Sequence, residues 1–183
     1  MQNLLLVTLC VTSLLAFSQN DLNTSTTIPW SNNLNLEWPN FKAKPNLNVV
    51  AFAQTTYKIE IFPNEVQVDE NNTIKNYQSL HVNALFYSDE SWVYKESDFL
   101  LKYEQLHFDI AGLFALKINE EFKTLIDQNE ANFDTYYTIY KRLWKDCLDT
   151  QKQYDSETNH GQNIEENQIW IDQISKEIKS HLD

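Results

Sequence analysis

The sequence predicts an α+β domain: a small antiparallel sheet in the N-terminal half, then a long helix and two further helices. Three observations support this. Apolar alternation is confined to the chain before Tyr87, apolar residues recur at three-and-four spacing from Phe99 onward, and the links between alternating segments are too short for crossover helices. Strands first and helices after is the order of an α+β chain.

The chain begins with an apolar run from Leu4 to Leu15, followed by Ala16-Phe17-Ser18, which reads as a secretory signal peptide cut before Gln19. The run is shorter than the roughly 20 residues that span a bilayer, so an export signal suits it better than an uncleaved anchor. Cys10 lacks the preceding small residues of a lipid-modified cysteine. The expected organisation is a signal peptide over 1–18, a flexible polar arm over 19–30, and one domain over 31–183. Removing eighteen of the 183 residues leaves 165, the size of a single domain. The destination is then the periplasm or the cell exterior.

Ile28-Pro29-Trp30 and then Leu34 to Phe41 place large aromatics between prolines and are expected to anchor an irregular segment on the core. Val49 to Phe62 reads as a strand, with its clearest alternation in Tyr57-Lys58-Ile59-Glu60-Ile61 and Pro63-Asn64 as its stop. Glu65 to Asp69 alternates again, and Leu80 to Tyr87 forms a further apolar strand.

Ser97-Asp98 caps the long helix, Asp98 to Leu125, whose apolar face is expected to carry Phe99, Tyr103, Leu106, Ile110, Phe114, Ile118 and Leu125. Gly112 is out of place inside it, since glycine there costs about 1 kcal/mol relative to alanine. A second helix is expected from Ala131 to Lys152. After a polar turn centred on Asn159-His160-Gly161, a third runs from about Glu165 to Leu182, with Trp170, Ile174 and Ile178 on one side.

The net charge of −12 argues against nucleic acid and anionic membrane surfaces, both of which attract lysine and arginine. No stable membrane insertion is expected once the signal is removed. After export one cysteine remains, Cys147, so no intramolecular disulfide can form. Its place among Trp144 and Leu148 suggests a buried thiol rather than a nucleophile. The two glycines leave no material for a phosphate loop. Asp109, Glu120, Glu121, Asp127 and Glu130 read as a solvated face.

Glu104 and His107 are the sharpest chemical pair. In the zinc-protease pattern His-Glu-x-x-His, two histidines one helical turn apart converge on a metal and the glutamate activates the metal-bound water. Here Tyr103 occupies the place of the first histidine. The alternative is a histidine packed on an apolar stripe beside a solvated or capping carboxylate.

The block Tyr103-Glu104-Gln105-Leu106-His107-Phe108-Asp109-Ile110 resembles the His-Glu-Gln-x-His-Phe-Asp-Ile block of a bacterial family termed domain of unknown function 922, described as predicted secreted zinc-dependent proteases. Further blocks are similar in the same order: Leu36 to Pro45, Val82 to Phe86 with Ser91-Trp92-Val93, and Tyr154 to Gly161 with Gln168 and Trp170. The resemblance implies a zinc site built from the helix and a distant ligand, with Glu104 as general base and His107, His160 and Tyr103 around the metal. It requires a loop near the C-terminus to fold back and place the His160 imidazole beside the central helix; otherwise His160 is a turn residue bonded within its own loop.

Tyrosine ligates only after losing a proton with an ordinary pKa near 10, so Tyr103 weakens the site. Glu104 as an inward ligand, or the Tyr103 phenolate on an oxygen-tolerant metal, would restore a third donor. The function implied is a secreted metallopeptidase-like protein acting on a peptide or protein substrate. The alternative is an inactive pseudoenzyme that binds a partner in, or structurally supports, the bacterial envelope.

Overall fold

A computed structural model describes residues 26–182. The expected signal peptide and most of the expected arm lie outside the described residues. Strands β1 (Thr27–Pro29), β2 (Ala53–Gln54), β3 (Tyr57–Phe62), β4 (His81–Tyr87) and β5 (Trp92–Val93) precede helices α1 (Asp98–Asp127), α2 (Phe133–Glu157) and α3 (Ile164–Leu182). The order is that of an α+β domain, as expected.

β4 is the centre of a three-stranded antiparallel sheet ordered β1-β4-β3. Ile59 faces Ala84 and Ile61 faces Val82, and the buried face of the sheet carries Ile59, Val82, Ala84 and Phe86. β1 pairs Thr27 with Tyr87 and Pro29 with Leu85, so the last residues of the segment expected as an arm form an edge strand. β2 and β5 form a separate two-stranded ribbon.

Two strand expectations are corrected. The single strand expected over Val49 to Phe62 is divided: Val49–Phe52 lie outside any strand, and Thr55-Thr56 separates β2 from β3. The Asn46 carbonyl takes the Val49 amide at 3.1 Å, bending the chain into a loop that leaves Val50 and Phe52 exposed. Glu65 to Asp69 makes only an isolated bridge, Val68 to Ile74. Here Asp69 takes the amides of Asn71 and Thr73 at 2.9 and 3.0 Å, closing a side-chain turn that ends the pairing.

α1 starts where Ser97 accepts a bond from the Leu100 amide. It packs against the sheet, α2 and α3. For that reason it is buried on more than one face from Tyr103 to Ala115, where the sequence predicted one apolar stripe; Phe108 and Ile110 are fully enclosed. Truncating Phe108 to alanine would remove about 3–5 kcal/mol.

Gly112 is explained by Trp30. A Cβ at position 112 would lie 2.2 Å from the Trp30 indole, and the same indole donates to the Asp109 carboxylate at 2.9 Å. Gln105 bonds the Leu36 amide at 2.6 Å and also donates to Asp109, at 2.9 Å. The N-terminal segment is thus strapped onto α1. Asp109 is correspondingly half-buried and hydrogen-bonded rather than part of the solvated face that the sequence suggested.

α2 extends five residues beyond the expected end at Lys152, reaching Glu157. Tyr136, Leu143, Cys147, Gln151 and Tyr154 form its buried side. α3 buries Trp170, Ile174 and Ile178 as expected, together with Asn167.

Candidate functional site

The N-terminal third of α1, the last two turns of α2, the loop after it and residues 46–55 line a cavity of about 730 Å³. Its polar lining includes Tyr103, Glu104, His107, Gln151, Asp155 and His160. The four residues named from the sequence therefore share one cavity.

The additional turn of α2 brings Asp155 to α1. Asp155 Oδ1 accepts from the Tyr103 hydroxyl and lies 3.1 Å from His107 Nε2. The other ring nitrogen, Nδ1, lies 2.5 Å from Gln151 Oε1. Gln151 Nε2 donates to the His107 carbonyl at 2.8 Å, which orients the amide so that its oxygen faces the imidazole. With the amide in this orientation Nδ1 donates to Gln151 and Nε2 faces the carboxylate, an arrangement that favours the doubly protonated imidazole.

The electrostatics agree with this assignment. Burial alone would lower the His107 pKa, but the bond to Asp155 and the Glu104 and Asp155 charges raise it overall. Burial opposes ionisation of Asp155, yet His107, Tyr103 and His160 hold its pKa below the ordinary carboxylate value. Burial, reinforced by Asp155, pushes the Tyr103 phenol far above its ordinary range. Burial also raises Glu104, against the opposing effects of His107 and Thr55.

His160 sits at the exposed mouth, in a left-handed run with φ of 49° at Asn159, 53° at His160 and 76° at Gly161. Thr158 holds this run: its hydroxyl donates to the Tyr154 carbonyl at 2.7 Å and takes the Gly161 amide at 3.1 Å. Gly161 is doubly required. Its φ is positive, and a Cβ there would lie 2.7 Å from the Tyr103 ring. The C-terminal loop is seated directly on Tyr103.

Both ring nitrogens of His107 are engaged by protein partners and burial raises the Tyr103 phenol pKa, so zinc would have to displace Asp155 and Gln151 and take the proton from the phenol. Among the described residues, no group of three or more His, Cys, Asp or Glu side chains could hold a metal ion.

Sequence reasoning missed Asp155 as a site residue, along with Gln151, Tyr154 and the apolar rim. Gln151 and Tyr154 could have been found, because they continue the buried spacing of Leu143 and Cys147. Tyr154 stacks on Tyr103 with ring centres 5.0 Å apart and reaches the Asn167 side chain. Asp155 also falls on that row, four residues beyond Gln151, but it lies past the expected helix end at Lys152. The rim is formed by Leu47, Val50, Phe52 and Tyr94, all exposed. Cys147 lies outside this site and is fully buried, as expected.

Fold and site together define an α+β protein with an apolar-rimmed cavity over a hydrogen-bonded polar floor. No family model, curated protein or solved structure matches the chain.

Proposed function

We propose that this chain is an exported peptide-binding protein on a metallopeptidase-like scaffold, with a hydrogen-bond network in place of the zinc site. One observation carries the reading: Asp155 and Gln151 engage both ring nitrogens of His107, and Tyr103 donates into the same Asp155 oxygen. A group locked this way positions the cavity floor instead of holding a metal.

Two features support a peptide as the occupant. The cavity volume falls within the roughly 300–1,000 Å³ of ligand pockets. Among the described residues the short strand β2, which lines the cavity, pairs with β5 alone, and an extended peptide could add beside it. Catalytic hydrolysis is not part of this function.

Metal analysis of the purified protein, with calorimetric titration of unstructured peptides, tests the reading. Peptide binding without bound metal, and with no peptide cleavage when zinc is added, is the expected result. Stoichiometric zinc uptake by the natural sequence, abolished by His107→Ala, would overturn it.

A further inference from the structure

The fixed charges on the cavity wall are carboxylates and the His107 imidazole that is paired with one of them, Asp155. Glu104 and Asp155 are its carboxylates, and among the described residues no lysine or arginine lines it; its basic groups are His107 and His160. His107 is committed to Asp155 and Gln151. Both protein donors to Asp155 converge on Oδ1, and no donor among the described residues reaches Oδ2. The Asp155 side chain is 33% exposed, so a ligand can reach it. Around this acidic floor stand Leu47, Val50, Phe52 and Tyr94, between 59% and 106% exposed.

We propose that the cavity selects a peptide segment with a basic side chain between apolar neighbours, the basic group meeting Asp155 and the neighbours lying against the rim. The proposal rests on the peptide-binding reading and specifies the peptide. A lysine side chain matches the two-part lining, because its methylene stem tolerates apolar contact while its ammonium seeks the carboxylates. The molecule's net charge of −12 adds a long-range attraction for such a segment. An acidic segment would meet the Asp155 carboxylate and the molecule's negative field, offset by a His107 imidazole already paired with Asp155, and an uncharged one would leave Asp155 Oδ2 without a partner once water is displaced.

The test is calorimetric titration of the purified protein with three acetylated, amidated pentapeptides, Val-Leu-X-Leu-Val, in which X is lysine, norleucine or glutamate. The lysine peptide is expected to bind at least about tenfold more tightly than the norleucine peptide and the glutamate peptide most weakly. The lysine preference should fall to within about threefold in Asp155→Asn, and should shrink in the natural protein as salt rises to about 0.5 M. If Asp155→Asn does not fold, the salt series on the natural protein decides. Val50→Ser should weaken all three peptides alike and leave the preference intact. Equal binding of lysine and norleucine peptides, or a preference indifferent to salt, would overturn the charge selection while leaving peptide binding in place. Failure of all three peptides to bind would remove both.

Discussion

Tyr103 and His107, one helical turn apart on α1, share a single acceptor: Oδ1 of Asp155 takes the tyrosine hydroxyl and lies 3.1 Å from the imidazole Nε2. A zinc ion in the related pattern would draw two side chains from these same positions. Here a carboxylate from another helix ties them together. Tyr103→Phe keeps the ring and its stacking on Tyr154 but removes the bond, and is expected to destabilise by about 1–2 kcal/mol. Urea unfolding monitored by tryptophan fluorescence measures this. A change within error would mean that the hydroxyl bond contributes nothing to the fold.

The charge state of His107 gives stability a pH dependence. Its pKa is raised in the folded protein above its ordinary 6.5, so its contribution is full below pH 6.5 and is lost as pH rises through the folded value. Asp155 has the opposite sign, contributing above its ordinary 3.8 and losing that contribution as pH falls through its lowered value. Glu104, with a raised pKa, also favours the folded state on the acid side. Comparing the natural protein with His107→Gln reads the imidazole together with its coupling to Asp155 and Glu104, whose pKa values it lowers. The gap in unfolding free energy should be widest near pH 5 and should narrow toward about pH 9. A gap that grows with pH would show that His107 is neutral in the fold.

Gly112→Ala sets helix propensity against packing. Propensity favours alanine by about 1 kcal/mol, but the new methyl would sit 2.2 Å from Trp30. The variant is expected to be about 1–3 kcal/mol less stable. Adding Trp30→Ala should remove most of the clash, so the double variant should be less destabilised than the sum of the two single changes. Strict additivity would separate the two residues.

Burial pushes the Cys147 thiol up to about 12. In the folded protein it should therefore resist alkylation by iodoacetamide at neutral pH and react promptly in urea. Mass spectrometry reads the difference. Rapid labelling of the folded protein would place the thiol at the surface.

The Thr158 to Gly161 turn offers a check on the loop that carries His160. Gly161→Ala meets both a φ of 76° and the Tyr103 ring, so it should lower the melting temperature and weaken peptide binding together. Unchanged melting and binding would mean that this loop does not set the cavity floor.

The sequence by itself determined the α+β order, the long capped helix and the buried positions of α3, because period-two and three-and-four spacing report directly which side of an element meets the core. It also placed Glu104 and His107 near each other, since residues three apart on a helix must be neighbours. It marked Gly112 as odd without a reason, and the reason is Trp30, eighty-two positions earlier in the chain. Only the tertiary structure decided what His107 does. Its partners come from α2 and are set by how far that helix runs and how it crosses α1, which local spacing does not encode. The division of the 49–62 segment had the same origin: alternation gives a chain the capacity to pair, but a strand forms only where a partner edge lies alongside.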